Sequence, residues 1–121
     1  MGANILVVDD QPEMRFLIAA NLRRLFNFQI VETDSVQSAI KHLQSAKFEL
    51  IVSDLIMPNG SGIDLFNYVE ENPEFDGHFI LFTSAVDRVP PDDKERVIVI
   101  DKRHMPELLS AIEFLGLNNG R

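Results

Sequence analysis

The sequence predicts an α/β domain: an open parallel sheet of five strands covered by helices on both faces. Three observations predict it. Short apolar runs rich in Val, Ile and Leu recur along the chain, amphipathic segments separate most of them, and polar residues close them. Unbroken apolarity suits a strand buried on both faces, as a parallel sheet requires.

The first strand is 4–8, ending at Asp9 and Asp10. Pro12 then sits where a first helical turn tolerates it, and Met14, Leu17, Ile18, Leu22, Leu25 and Phe26 follow at helical spacing. Residues 28–33 form the second strand. Asp34 precedes a helix carrying Val36, Ala39, Ile40 and Leu43 on one face, with Gln37 placed as in a capping box. The third strand, 49–53, ends at Asp54. The turn-rich stretch 57–62 leads into a helix with Ile63, Phe66 and Val69, which Pro73 stops. The fourth strand is 78–82, ending at Thr83 and Ser84, and the fifth is 97–100, ending at Asp101 and Lys102. Pro106 opens the last helix, with Leu108, Ala111, Ile112 and Leu115 on one face and Gly116 near its end. One segment breaks the alternation. Between Ala85 and Val97, Pro90 and Pro91 bar a continuous helix, and only Val86 and Val89 are apolar, so the fourth helix is expected to be missing or stunted.

Composition narrows the function. At 121 residues, 45% hydrophobic and 25% charged, the chain is expected to be one ordered domain over 1–121, with no linker and no output domain. A net charge of −8 argues against direct contact with nucleic acid. The absence of cysteine excludes disulfides, thiolate metal sites and cysteine nucleophiles. With no signal peptide or membrane span, a cytoplasmic protein is expected. His42, His78 and His104 lie on separate elements and suggest no shared metal.

In an open parallel sheet, ligands bind beyond the carboxyl ends of the strands. The fold therefore gathers Asp9, Asp10, Asp54, Thr83 and Lys102 at one rim. Two carboxylates about 4 Å apart repel by about 4 kcal/mol at an effective dielectric near 20. Lys102 and a hard divalent cation relieve that repulsion, and Mg2+ fits a site with few carboxylates and room for water. Taken singly, each residue has a plainer reading: Asp9 and Asp10 as helix caps, Asp54 as the start of a turn, Thr83 as a strand residue, Lys102 as a solvated charge. Taken together, four of five strand ends carry the required residue.

These residues resemble, in order and spacing, the receiver domain of two-component response regulators. The matching features are Val7-Val8-Asp9-Asp10, Asp54-Leu55-Ile56-Met57-Pro58, Leu81-Phe82-Thr83-Ser84-Ala85 and Lys102. The resemblance implies a flavodoxin-like, doubly wound sheet of order 2-1-3-4-5. It implies that Asp54 is the phosphoacceptor, charged by a histidine kinase or a histidine phosphotransfer protein. It places Mg2+ on Asp10, Asp54 and the Ile56 backbone carbonyl, with Asp9 acting mainly through water. Lys102, Thr83 and Ser84 would meet the phosphoryl group, and the output would be contact with a downstream protein rather than enzymatic turnover of a substrate.

The sequence departs from the family in three places. Val99 stands where the family usually has Tyr or Phe, so the aromatic part of the switch is altered. Arg103 follows the lysine where the family has a cis proline, so a trans bond or local strain is expected. The shortened fourth helix reduces the usual signalling face, and should uncover apolar side chains from Phe79 to Phe82 and favour a homodimer or a docked partner there. Ile56 and Ala85, near the acceptor, carry no group that orients water, so slow self-dephosphorylation is expected. Two rival readings remain: a receiver that binds partners without phosphorylation, and a metal-dependent phosphohydrolase.

Overall fold

A computed structural model describes residues 2–117; Met1 and residues 118–121 of the expected domain lie outside the described residues. The elements are β1 (Asn4–Val8), α1 (Pro12–Leu25), β2 (Gln29–Thr33), α2 (Val36–Ser45), β3 (Leu50–Ser53), β4 (Ile56–Met57), β5 (Gly60–Ser61), α3 (Gly62–Glu70), β6 (His78–Thr83), α4 (Pro91–Lys94), β7 (Ile98–Asp101) and α5 (Met105–Leu115). The main sheet runs β2-β1-β3-β6-β7, the expected order, with every neighbour parallel. β4 and β5 form a small antiparallel hairpin that begins one residue before the stretch that reads as turns in the sequence.

Alternation along each buried strand divides the core. Leu6, Val8, Ile51, Phe79 and Leu81 face α2 and α3, joining Ala39, Leu65, Phe66 and Val69. Ile5, Val7, Val52, Ile80 and Phe82 face α1 and α5, joining Ile18, Leu22, Leu108 and Ile112. The central strands are buried on both faces, which is why they carry almost no polar residue before their ends.

Several local details differ from the sequence reading. The cap of α2 is Ser35, whose Oγ accepts from the Ser38 amide at 3.1 Å; Asp34 does not cap it, and Gln37 instead donates to the Asn59 carbonyl at 3.1 Å. Pairing decides this, because β2 stays in register with β1 as far as Thr33 and the chain needs two more residues to turn. On α1, Leu17 and Leu25 are 47% and 39% exposed, and the buried stripe is Ile18, Ala19 and Leu22. Leu17 lies about 100° around the helix from Ile18, on the flank of that stripe. At the helix end Phe26, stacked on Phe28 with centroids 4.7 Å apart, fills the buried place.

The fourth helix is stunted, as expected: a 3-10 turn at Val86–Arg88 and a single α-turn at Pro91–Lys94 replace it. The strand beneath is nevertheless not uncovered. Phe79, Ile80, Leu81 and Phe82 are all at most 7% exposed. Val89 and Val97 fold inward over this face, and Phe66 meets Phe79 edge-on with centroids 5.3 Å apart. Arg96 lies over the Phe66 ring, 5.0 Å from its centroid, and pairs with Glu70 at 3.4 Å and Asp93 at 3.2 Å. The expected basis for self-association, an apolar patch over Phe79–Phe82, is therefore absent.

The start of α3 is pressed against the end of β3. Ser61 and Asp64 form a reciprocal capping box, and the Gly62 amide donates to the Leu55 carbonyl at 2.8 Å. A Cβ on Gly62 would lie 2.3 Å from the Asp54 carbonyl oxygen and 2.6 Å from Leu81 Cδ2. Gly62→Ala is expected to destabilise the fold by about 1–3 kcal/mol in urea unfolding, the cost of overpacking. Unchanged stability would show that the helix start has room to shift.

Candidate functional site

Register brings the site together. β1 and β3 pair Val8 with Ser53, so the next residues, Asp9 and Asp54, emerge side by side. Their backbones remain tied to the sheet: the Asp9 amide donates to the Thr33 carbonyl at 3.1 Å, and the Asp54 amide to the Val8 carbonyl at 2.9 Å. On the other side, β6 and β7 pair Thr83 with Asp101, and the Lys102 amide donates to the Thr83 carbonyl at 3.1 Å.

From there the Lys102 ammonium reaches back across the rim. It lies 2.7 Å from Asp9 Oδ2 and 2.9 Å from Asp54 Oδ2. The Asp54 contact is a hydrogen bond; the Asp9 contact is an ion pair off the hydrogen-bond axis, leaving Asp9 Oδ2 with no aligned donor. Both carboxylates are also gripped from their own loops: Asp9 Oδ1 accepts from the Gln11 amide at 2.9 Å, and Asp54 Oδ1 from the Leu55 amide at 2.7 Å. Asp9 thus does not cap α1, whose cap residue is Gln11 with no side-chain bond. The Lys102 side chain is only 8% exposed, so it is not a solvated surface charge.

Burial is the strongest influence on Asp9 and raises its pKa; the Lys102 ammonium and the Gln11 amide oppose it without cancelling it, and the Asp54 charge adds to the rise. For Lys102, burial works downward, but the facing Asp9 and Asp54 carboxylates together outweigh it and hold the pKa above its ordinary value.

Carboxylate oxygens of Asp9, Asp10 and Asp54 lie within 4.8 Å of one another. Three converging oxygens, one of them buried without an aligned donor, form a set that a hard cation satisfies. Asp10 is half-buried and borders a cavity of about 410 Å3 that opens between the start of α2 and the β4–β5 hairpin. Thr83 is buried at the end of β6, its Oγ1 accepting from the Ala85 amide at 3.1 Å, while Ser84 next to it is exposed. Ile56 opens the hairpin with its side chain 45% exposed. Val99 is half-buried and packs against the α2–α3 core. The rim therefore assembles every residue that the strand-end argument names.

The Response regulator receiver domain family matches residues 5–108. The chain belongs to that family. Relatives of this receiver include the response regulator receiver protein CpdR of Brucella abortus, 30% identical over 112 residues, which cover 90% of this chain and 92% of CpdR. The response regulator protein PilR of Pseudomonas aeruginosa is 33% identical over 66 residues, 54% of this chain but only 15% of PilR. Among solved structures, response regulator protein TrrA from Thermotoga maritima, in complex with Mg(2+)-BeF, superposes with a TM-score of 0.83 at 24% identity, covering 93% of this chain and 98% of TrrA. That likeness shows the shared fold. Among the described residues, no helix is long and apolar enough to cross a membrane.

Two features of this receiver's rim were missed by the sequence reading. The Arg103 side chain folds back on Asp101, a pairing of residues two apart that no periodic pattern signals. Thr33 Oγ1, at the end of β2, is buried with no hydrogen-bond partner, and no sequence signal marks it.

The raised Lys102 pKa has a definite consequence for stability. Its contribution is complete below its ordinary pKa of 10.5 and is lost as pH rises through the higher folded value. Lys102→Met should destabilise the metal-free protein at neutral pH by about 3 kcal/mol, since it strands two buried carboxylates. Its stability should then fall less steeply than that of the parent above pH 10.5 in urea titrations. Parallel alkaline limbs for the two proteins would contradict this.

Proposed function

We propose that this receiver accepts a phosphoryl group on Asp54 from a histidine kinase or a histidine phosphotransfer protein, and that the modification changes its contacts with a downstream protein. The observation that carries the reading is the buried Asp54 carboxylate, fixed by the Leu55 amide at 2.7 Å, contacting the Lys102 ammonium at 2.9 Å beside two further aspartates. The receiver is assigned the whole chain, 1–121.

In this reading a carboxylate oxygen of Asp54 attacks phosphorus in line. The bond to the donor's imidazole nitrogen breaks, its electron pair stays with the imidazole, and an acyl phosphate remains on Asp54. Such transfer needs positioning and charge neutralisation more than covalent machinery. The Leu55 amide holds the carboxylate plane. Lys102, already within reach of Asp54, supplies an ammonium to the phosphoryl oxygens. Thr83 offers a hydroxyl from the end of β6, and the small, exposed Ser84 leaves the approach open. Mg2+ would be held by Asp10, Asp54 and the Ile56 backbone carbonyl, with Asp9 acting mainly through water; when bound it neutralises charge developing on the phosphoryl oxygens. TrrA, with the same fold, has been solved with Mg(2+)-BeF, which supports this assignment.

The chain is a switch in this reading, and it consumes one phosphoryl group per event rather than turning over a substrate. The three acids and the lysine stand together at the rim, so the reading of a binding module that has lost its acceptor site is not favoured. A net charge of −8 supports protein partners over nucleic acid. A cytoplasmic location suits a histidine-kinase donor.

With Mg2+ and acetyl phosphate, intact mass spectrometry should show one phosphoryl group added to the parent and none to Asp54→Asn, with chelation of the metal abolishing the gain. An unmodified parent would sink the acceptor assignment. The side chains of Ile56 and Ala85 offer no group to orient an attacking water. The acyl phosphate should therefore be long-lived, and Ile56→Asn should shorten its lifetime several-fold. Equal lifetimes would place the control of hydrolysis elsewhere.

A further inference from the structure

β7 ends at Asp101, and the His104 amide donates to the Asp101 carbonyl at 2.9 Å, closing a turn with Lys102 and Arg103 at its centre. The Asp101 carboxylate closes the same turn again: Oδ1 accepts from the Arg103 amide at 2.9 Å, an Asx turn. The Arg103 side chain then folds back, with Nε donating to Oδ1 at 3.0 Å and Nη2 to Oδ2 at 2.6 Å. One guanidinium thus grips both oxygens of one carboxylate, the orientation-specific form of this pair. Its hydrogen bonds hold Asp101 well below the usual carboxylate range.

A stability argument does not explain this arrangement. The Arg103 side chain is 79% exposed, and exposed ion pairs add little to folding. Placement within the turn does explain it. The described residues contain no cis peptide bond, so the Lys102–Arg103 link is trans and no proline ring fixes the dihedrals on either side of it. The Lys102 side chain is long and rich in rotamers, and where its ammonium lands depends on the direction in which its base leaves the turn. The Lys102 amide fixes one side of that base on Thr83. The bonds converging on Asp101 fix the other.

We propose that Asp101 and Arg103 form a polar clip that positions Lys102, doing with a forked ion pair and an Asx turn what a proline ring does covalently. The proposal rests on the reading of Asp54 as acceptor. It makes Arg103 a positioning residue that acts through Lys102, with no contact of its own to the reacting group. A lysine at 103 would keep the charge but not the fork, so charge alone would not suffice.

The test compares the parent with Arg103→Ala, Arg103→Lys and Asp101→Asn in the full chain, with two readouts. The first is the ammonium signal of Lys102 in 1H–15N spectra of the metal-free protein, which burial and two carboxylate partners should make slow to exchange. The second is the initial rate of phosphorylation by acetyl phosphate with Mg2+. Both Arg103 variants should lose the ammonium signal and slow phosphorylation by about tenfold, within the range that small misplacements of a catalytic group produce. Asp101→Asn, which keeps an acceptor for the Arg103 amide, should fall between them and the parent. Salt at roughly 1 M, where the Debye length shrinks to about 3 Å, should move the parent's ammonium signal toward that of Arg103→Ala and leave the variant unchanged. Arg103→Lys keeps the test decisive if Arg103→Ala folds poorly. A parent-like ammonium signal and rate in the Arg103 variants would overturn the clip. A parent that takes no phosphate would instead overturn the acceptor reading, and the ammonium signal would still decide the clip.

Discussion

One ammonium group shared between two buried carboxylates sets the terms for the whole upper rim. Asp9 and Asp54 are 1% and 8% exposed, and Lys102 stands within 2.9 Å of both. Without the cation, two carboxylates at about 4 Å would repel by about 4 kcal/mol at an effective dielectric near 20, a sizeable share of a small domain's stability. The cation comes from the far side of the sheet, 48 residues beyond Asp54. Its arrival depends on β3, β6 and β7 being adjacent and level, and the parallel register delivers that. The balance is incomplete: three carboxylates, Asp10 included, converge where one ammonium stands, and one Asp9 oxygen has no aligned donor. A site left short of positive charge in this way is suited to a divalent cation.

Much of this was legible in the sequence because it follows from local chemistry. A strand buried on both faces is apolar almost until it ends, so the polar residues that follow Val8, Val52 and Phe82 mark the rim directly. The stunted fourth helix was legible for the same reason: Pro90 and Pro91 forbid a continuous helix whatever the rest of the fold does. What escaped depended on choices between near-equivalents or on tertiary packing. Asp34 and Ser35 both make good caps, and only the length of β2 pairing selects Ser35. The β4–β5 hairpin pairs just two residues a side, too few for any alternation to show. Leu17 and Leu25 fit a helical stripe on paper, but the sheet covers a narrower one.

The largest departure concerns the face where the fourth helix is cut short. Loss of a helix suggests exposure, and exposure suggests an interface. The chain closes the gap by other means. Val89 and Val97, which flank the short turn, enter the core, and Arg96 spreads its guanidinium over Phe66 while holding Glu70 and Asp93. A side chain that is part hydrocarbon and part planar cation is well suited to sealing an apolar ring at the border with solvent. Two valines and an arginine thus do much of the covering that a helix face would do, with far less backbone.

In the proposed reading, this way of closing the gap changes what a switch could move. The segment after β6 starts on three bonds: Ala85 N to Thr83 Oγ1, Arg88 N to the Ala85 carbonyl, and Val89 N to the Val86 carbonyl. It continues in a single turn where the Asp93 and Lys94 amides donate to the Pro90 carbonyl and the Arg96 and Val97 amides to the Asp93 carbonyl. A full helix would add a ladder of backbone bonds that break together; here the stretch from Ala85 to Val89 carries one 3-10 turn, so rearranging it breaks fewer bonds at once. In the proposed reading, drawing the Thr83 hydroxyl toward a phosphoryl group would release the Ala85 amide, the first of these bonds. Val89 and Val97 seat the segment in the core, and Val99, packed against the same core, is too small to act as a swinging ring. In that reading, movement at the rim would enter the shortened segment at the Ala85 amide rather than through a ring at position 99.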